Sequence, residues 1–259
     1  MTAILGIDAA WTLKQPSGLA LGISVGHRWR IVRTAASYSD FLDLPSASNA
    51  LPPLDTLLAT SQQAAGQSIG LVCVDMPLSV EPITSRREAD NTVSRVYGGR
   101  EASTHTPNLV RPGEVSIELM SGLNAAGYPL LTETITLPGT IEVYPHPALI
   151  ELMGAPERLP YKAAKMGKYW PELPPRTRRE KLVATWGEIV ARLAVELDGV
   201  TDALPPIDPQ ATGRELKAYE DVLDAIVCVW VGICAVARNA KPYGDASAAI
   251  WIPSGRNTL

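Results

Sequence analysis

The chain has 259 residues, a hydrophobic content of 46% and a formal net charge of −4. This length allows one large domain or two small ones, and the composition excludes a disordered chain. Because proteins that coat nucleic acid non-specifically are usually basic overall, the acidic balance argues against that class. It is still compatible with a local basic groove.

The start of the chain predicts three antiparallel strands. Apolar or β-prone runs at residues 3–8, 18–25 and 29–37 are separated by turn-like stretches, which is typical of a meander. The spacing of apolar residues then predicts a helix at residues 54–65. Residues 69–74 form a nearly unbroken apolar run, which predicts a central strand buried on both faces.

Later elements are predicted from capping boxes and proline positions. Capping boxes indicate three helices that start at Ser85, Thr177 and Thr212. A shorter helix is expected at residues 116–126. A short strand is expected at residues 140–144, where two prolines end it in a turn.

The predicted fold class is α/β. Residues 248–252 form either one more strand or a packed tail. Without them, the pattern predicts a mixed five-stranded sheet, an antiparallel three-strand meander plus parallel strands, with helices on both faces. We expect a single domain over residues 1–259, with a basic insert around residues 155–180.

The sequence also predicts a location. Residues 1–10 lack the basic region of a signal peptide, and the longest uncharged apolar run, residues 225–237, is too short to span a bilayer. The three cysteines form no CxxC pair, and an odd number of them suits a reducing compartment. We therefore expect a cytoplasmic protein with no membrane segment.

Carboxylates stand at the ends of several predicted elements. Asp8 ends the first strand, Asp75 follows the central strand, and Glu142 lies in the short late strand. On the last helix, Asp221 and Asp224 are three residues apart and share one face. Asp224 borders small apolar residues, so we rank it above Asp221 as a ligand.

Together these carboxylates predict a metal site. Side chains at the carboxyl ends of adjacent strands converge on one crevice, where their mutual repulsion calls for a cation. Oxygen ligands without Cys or His suit Mg²⁺ or Mn²⁺, and two such ions about 3.5–4 Å apart would clamp a phosphodiester. Each carboxylate alone is equally compatible with a loop cap or an exposed helix residue.

A basic segment precedes the last two helices. Residues 158–181 hold eight basic and two acidic residues, hence a local charge of +6, together with three aromatic residues. This pattern is typical of a loop that follows phosphates and stacks on bases, but equally of a solvated surface loop. Lys162 and Lys165 are its candidate phosphate-binding residues, and Arg86 is another. His146 is either a general base or part of a proline turn.

The short sequences that carry these residues resemble domain-of-unknown-function family 429, whose members are described as predicted ribonuclease H-like nucleases. The matching pieces occur in one order along nearly the whole chain: Gly6-Ile7-Asp8-Ala9-Ala10-Trp11, Val74-Asp75-Met76-Pro77-Leu78, Arg86 to Asp90, Glu142-Val143-Tyr144-Pro145-His146-Pro147, Tyr161-Lys162 and Glu220-Asp221-Val222-Leu223-Asp224-Ala225.

This resemblance implies a ribonuclease H-like sheet. In that superfamily one acidic residue lies on the first strand, another at the end of the fourth, and a third on a late helix. Asp8, Asp75 and Asp224 match these positions, and Glu142 matches the family's own strand-end glutamate.

The predicted function is that of a metal-dependent phosphodiester hydrolase, a nuclease that acts on nucleic acid or a nucleotide-like phosphodiester with Mg²⁺ or Mn²⁺. The predicted catalytic residues are Asp8, Asp75, Glu142 and Asp224. The predicted metal ligands are Asp8, Asp75, Asp224 and Asp221. The predicted substrate-binding residues are Arg86, Lys162, Lys165 and His146.

Two alternatives remain open at the level of sequence. A kinase-like phosphotransferase on a related fold would need glycine-rich turns after the strands, but Asp8 is followed by Ala9-Ala10 and Asp75 by Met76-Pro77. A non-catalytic scaffold that binds nucleic acid or protein would have to keep a carboxylate cluster that costs stability.

Overall fold

The computed structural model describes residues 2–12, 15–45 and 50–255. Within these ranges the strands are β1 (Ala3–Asp8), β2 (Gly18–Val25), β3 (Arg28–Ala35), β4 (Ile69–Val74), β5 (Gly139–Val143), β6 (Leu197–Asp198), β7 (Ala240–Gly244) and β8 (Ala249–Pro253). The α-helices are α1 (Tyr38–Phe41), α2 (Leu54–Ala65), α3 (Glu88–Tyr97), α4 (Glu114–Ala125), α5 (Pro145–Met153), α6 (Met166–Tyr169), α7 (Pro175–Glu196), α8 (Val200–Ala203) and α9 (Gly213–Val236).

These strands form one mixed sheet in the order β6-β3-β2-β1-β4-β5-β8-β7. The predicted meander is confirmed, because β2 pairs antiparallel with both β1 and β3. The predicted central strand is confirmed as well. β4 pairs parallel with β1 and β5, and all six of its residues are buried. The carboxyl ends of β1, β4 and β5 therefore lie side by side.

The prediction of five strands is wrong, because the described residues contain eight. The segment at residues 248–252 is a strand rather than a tail, and β8 pairs parallel with β5. β7 pairs antiparallel with β8 at the edge of the sheet, where Pro242 is tolerated. β6 has only two residues, too few to show any periodicity in the sequence.

Two predicted helix starts are also wrong. α3 begins at Glu88 rather than near Ser85, and the Asp90 carboxylate accepts the Arg87 backbone N–H at 3.0 Å. α7 begins at Pro175, before Thr177, because proline fits the first turn of a helix.

The other boundaries agree better with the sequence. α9 begins after Thr212, where both hydrogen bonds of the capping box with Glu215 are present. The prolines that were expected to form a turn after β5 instead occupy the first turn of α5.

Helices cover both faces of the sheet. Alternate residues of β1 point to opposite sides, so that Ile4 packs with α5, α7 and α9, while Leu5 and Ile7 pack with α1, α2 and α4. The longest of these helices, α9, lies against β1 and β2. Among the described residues, none of the helices is long and apolar enough to cross a membrane.

Candidate metal centre

Three aspartates meet at the carboxyl ends of β1 and β4. Asp8 is the last residue of β1, and Asp75 follows β4 and donates its backbone N–H to Ile7 O at 2.8 Å. Asp224 comes from the middle of α9. One carboxylate oxygen of each aspartate lies within 4.8 Å of the other two. We call Asp8, Asp75 and Asp224 the acidic triad.

Two glycines let α9 approach the meander closely. A Cβ atom on Gly6 of β1 would lie 2.2 Å from Ala225 O, and one on Gly18 of β2 would lie 2.1 Å from Asp221 O. Only a residue without a side chain fits at such distances. Because this part of α9 also carries Asp224, the close approach places its carboxylate against the end of β1.

The carboxyl groups of the triad have raised pKa values because they are largely withdrawn from water, with Asp224 buried and Asp8 and Asp75 partly buried. Burial raises the pKa of Asp8 to about 7 and that of Asp224 to about 6. Burial, reinforced by the Asp8 carboxylate, holds the pKa of Asp75 well above its usual range. A cation among these groups would favour their ionised forms.

Lys162 and Tyr161 hold the Asp224 carboxylate. The Lys162 ammonium bonds to Asp224 Oδ2 and lies 3.5 Å from Glu220 Oε1. The Tyr161 hydroxyl donates to Asp224 Oδ1 at 2.9 Å. The Tyr161 carbonyl in turn accepts the indole N–H of Trp186 at 2.8 Å, which fixes the segment against α7. The structure thus places Lys162 at the triad itself.

A second lysine approaches from the first turns of α9. The Lys217 ammonium bonds to Asp221 Oδ1 and lies 3.2 Å from Glu220 Oε1. The other carboxylate oxygen of Asp221, Oδ2, is buried and has no hydrogen-bond partner among the described residues. Asp221 and Asp8 face each other, and their charges interact.

This donor set fits a divalent cation. Among the described residues, the cluster joins five carboxylates, those of the triad with Glu220 and Asp221, and two ammonium groups. The unpartnered Oδ2 of Asp221 and the close triad oxygens are hard ligands of the kind that Mg²⁺ and Mn²⁺ prefer. The triad would hold the ion, with Asp221 at its side.

Comparison with known proteins gives one finding. The family model described as "Protein of unknown function (DUF429)" matches residues 6–247. The chain belongs to this family. Neither the search of curated proteins nor the search of solved structures found a match. In this DUF429 protein the matched range contains the whole acidic triad, together with both lysines that contact the cluster.

Glu142 lies beside the triad of this DUF429 protein but is bound differently. Its carboxylate accepts two hydrogen bonds from the Arg87 guanidinium, at 2.6 and 2.8 Å, and one from Leu78 N at 2.7 Å. Asp90 accepts from the same guanidinium. Glu142 and Asp75 line one small cavity of about 50 Å³. Its charge is matched by arginine, so its catalytic role stays a prediction.

Arg86 is engaged within the protein. Its guanidinium donates to Ser94 at 2.6 Å, to Asn91 at 2.9 Å and to Thr106 at 3.0 Å. These bonds tie α3 to the segment that follows it. The structure therefore gives Arg86 a local partner for each part of its side chain, and the predicted contact with substrate stays a prediction.

Lys165 and His146 lie near the cluster without joining the triad. Lys165 is half-buried, and burial together with nearby Arg158 lowers its pKa. His146 is buried in α5 between the rings of Tyr144 and Tyr161, each 5.3 Å away. Burial holds the pKa of His146 well below its usual range, so the imidazole is neutral.

Sequence reasoning missed the part that Tyr161, Lys217 and Glu220 play in the cluster. Lys217 and Glu220 look like ordinary charges of an amphipathic helix, and no local pattern shows that this part of α9 is buried. Tyr161 adjoins Lys162 in a recognisable motif, but its hydroxyl contacts a residue 63 positions away.

Proposed function

We propose that this protein is a metal-dependent phosphodiester hydrolase with a ribonuclease H-like fold. The observation that carries the proposal is the meeting of three carboxylates from β1, β4 and α9 within 4.8 Å. The strand order β3-β2-β1-β4-β5, with an antiparallel meander and two parallel strands, supports the fold part of the proposal.

A divalent ion held by the triad would polarise a phosphoryl oxygen and lower the pKa of a bound water. The protein's own groups set the conditions for this chemistry. Tyr161 orients the Asp224 carboxylate through its hydroxyl. Lys162 holds a positive charge at the triad, where it can attract a phosphate. The bonds between Arg87 and Glu142 fix the start of α3 to β5 beside Asp75.

The proposed substrate is nucleic acid or a nucleotide-like phosphodiester. The chain is acidic overall, but its basic segment at residues 158–181 includes Lys162, which reaches the triad. This places positive charge locally, where a phosphate backbone would enter. A cytoplasmic location is part of the proposal, because Cys73, Cys228 and Cys234 are not joined in disulfides.

A non-catalytic scaffold is the second candidate, and one observation favours it. Lys162 and Lys217 already bond to Asp224 and Asp221, so part of the cluster's charge is neutralised without a metal. In the part of the chain that the structure describes, the excess of carboxylates over ammonium groups in the cluster favours the metal-dependent enzyme over this alternative.

The test is calorimetric titration of Mn²⁺ into the metal-free protein and into the variants Asp75→Asn and Asp224→Asn. We expect saturable binding in the original protein and a loss of at least about tenfold in affinity in each variant, since each removes a charged ligand. Asp55→Asn, an exposed aspartate on α2, is the matched control and should bind normally.

Cleavage is then assayed with single-stranded, double-stranded and branched DNA and with RNA, with Mn²⁺ present. Cleavage that is lost in both triad variants and kept in Asp55→Asn supports the proposal. No Mn²⁺ binding at millimolar concentration together with no cleavage would replace the proposal with the scaffold. Cleavage that persists in both triad variants would show that the triad is not the catalytic site.

A further inference from the structure

A group of cations lies on one side of the acidic triad. Burial, followed by the positive charges of Lys165, Arg158 and Arg111, lowers the pKa of the His105 imidazole, so these cations share one neighbourhood. These residues come from two segments about 50 positions apart in the chain. We call His105, Arg158 and Lys165, with Arg111 at their edge, the cationic group.

The cationic group lacks acidic partners. Lys162, Lys217, Arg87 and Arg100 each form an ion pair with a carboxylate. Within the described ranges, no member of the cationic group has a carboxylate within ion-pair distance. The Glu220 carboxylate offsets part of the repulsion at Lys165, and an anion placed among these cations would relieve the rest.

Buried donors point to the same place. Arg158 Nε is buried and has no hydrogen-bond partner among the described residues, and neither has His146 Nδ1. His146 is only 6% exposed and lies within electrostatic range of Lys162, Arg158, Lys165 and His105. Because buried polar atoms normally have partners, the orphaned Nε–H of Arg158 indicates a ligand with acceptor oxygens, to which His146 would also donate in the tautomer protonated at Nδ1.

A cavity connects this region with the triad. Asp75, Trp11, His105 and Tyr144 line the same space of about 50 Å³. Arg111 lies over the Trp11 ring, with its Cζ atom 6.0 Å from the ring centre. The aromatic walls offer flat surfaces on which a base or sugar can pack, and His105 of the cationic group lines the same space.

We infer that Arg158, Lys165 and His105 form a phosphate subsite, which holds a second, uncleaved phosphate of a nucleotide substrate while the triad acts on its neighbour. This inference rests on the proposed function for the identity of the substrate. The binding of phosphate itself needs neither a metal nor catalysis, and it can be measured separately.

The experiment uses the full chain without metal, at fixed ionic strength and in the presence of a chelator. Three probes are titrated by calorimetry: inorganic phosphate, the dinucleotide TpT and its 5′-phosphorylated form pTpT. We expect saturable binding of phosphate, and binding of pTpT that is about tenfold tighter than that of TpT, since one charge-assisted contact is added.

Variants locate the subsite. Arg158→Gln is expected to weaken the binding of phosphate and pTpT by about tenfold, and Lys165→Gln by about three- to tenfold. Arg176→Gln and Lys181→Gln remove the same charges from exposed positions of the same segment and should change affinity less than about twofold. Lys165→Gln, at a half-buried position, keeps the test valid if Arg158→Gln does not fold.

Measuring phosphate binding and cleavage separately distinguishes a failure of the phosphate subsite from a failure of the proposed hydrolase. Asp75→Asn should abolish cleavage while phosphate binds as well as before or more tightly, because a repelling carboxylate has lost its charge. Phosphate binding without any cleavage would retain the subsite and reject the hydrolase. Absence of saturable phosphate binding, or equal weakening in the two control variants, would overturn the subsite even if cleavage is observed.

Discussion

Asp75 follows β4, and Glu142 is the next-to-last residue of the neighbouring parallel strand β5. Their surroundings nevertheless give the two carboxyl groups different properties. Burial raises the pKa of both carboxyl groups. For Glu142, the Arg87 guanidinium opposes this rise, whereas for Asp75 the Asp8 carboxylate adds to it. A carboxylate that already has an arginine gains little from a metal ion, while one surrounded by like charges gains much. This contrast favours a supporting position for Glu142, whose catalytic role stays a prediction.

The buried pair of Arg87 and Glu142 yields the first stability prediction. Arg87→Met leaves both Glu142 and Asp90 buried without their cation, so we expect a loss of about 3–5 kcal/mol in the free energy of unfolding, measured by urea denaturation. The double variant Arg87→Met/Glu142→Gln should recover part of this loss.

Arg95→Met is the matched control for this variant. Arg95 is 68% exposed, and its ion pair with Glu88 is 3.5 Å long, so its replacement should cost less than about 1 kcal/mol. Equal losses in the two single variants would mean that the buried pair contributes no more than a surface contact.

At the level of elements, the site depends on how closely α9 lies against β1. Ala225 O of α9 approaches Gly6 so closely that a Cβ atom there would lie 2.2 Å away. Asp224 precedes Ala225 in the chain, so any outward shift of α9 moves its carboxylate away from Asp8. Gly6→Ala is therefore expected to destabilise the fold by about 3 kcal/mol and to weaken Mn²⁺ binding, as measured by urea denaturation and calorimetry.

Gly187→Ala supplies the control for this substitution. Gly187 is exposed on α7, and a Cβ atom there would meet nothing within 4 Å. Since alanine favours a helix more than glycine does, this variant should gain up to about 1 kcal/mol and leave Mn²⁺ binding unchanged. If Gly6→Ala bound Mn²⁺ normally, the distance between α9 and β1 would not control the site.

The sequence predicted those elements whose signals are local. The apolar runs of β1, β2 and β4 and the capping box of α9 gave boundaries that agree with the structure. β7 was missed because Lys241, Pro242 and Gly244 interrupt any alternation, and its hydrogen bonds to β8 compensate for this only in the folded sheet. The strands at both edges of the sheet therefore form because of tertiary contacts and not because of a local sequence pattern.

The candidate site likewise has some features that the sequence predicted and others that depend on tertiary packing. Strand ends predicted that Asp8 and Asp75 would lie together, because β1 and β4 are parallel neighbours. The bonds of Lys217 to Glu220 and Asp221 are contacts that helical spacing allows within α9, but a single sequence does not show that they lie beside the triad. The bond of Tyr161 to Asp224 likewise depends on tertiary packing. Whether the triad binds a metal stays a prediction that only measurement can test.

For the whole molecule, the buried cluster couples stability to pH. In the unfolded chain the Asp8 and Asp224 carboxyls have pKa values near 3.8, whereas folding raises them to about 7 and about 6. Between pH 4 and pH 7 the folded state therefore holds more protons than the unfolded state. These groups stabilise the metal-free protein below pH 4. Their contribution is lost as the pH rises through the pKa values that the two carboxyl groups have in the folded state.

Asp8→Asn isolates this effect from other groups that titrate in the same range, such as His146, whose lowered pKa acts in the opposite direction. Below pH 4 the variant and the original protein should be about equally stable. By pH 7.5 the metal-free variant should be more stable by about 1–3 kcal/mol, because it no longer buries an unpaired charge. The measurement is urea denaturation at several pH values, with Asp55→Asn expected to follow the original protein throughout.

At pH 7.5, Mn²⁺ should reverse the order of stability of Asp8→Asn and the original protein. An ion that binds only the folded state at a concentration 1,000 times its dissociation constant adds about 4.1 kcal/mol to the stability of the original protein. Asp8→Asn lacks a triad ligand and should gain far less, so the original protein becomes the more stable of the two. If Mn²⁺ stabilised both proteins equally, the ion would be bound elsewhere. If the metal-free proteins showed no difference between pH 4 and pH 7.5, the Asp8 carboxyl would not be held protonated by burial.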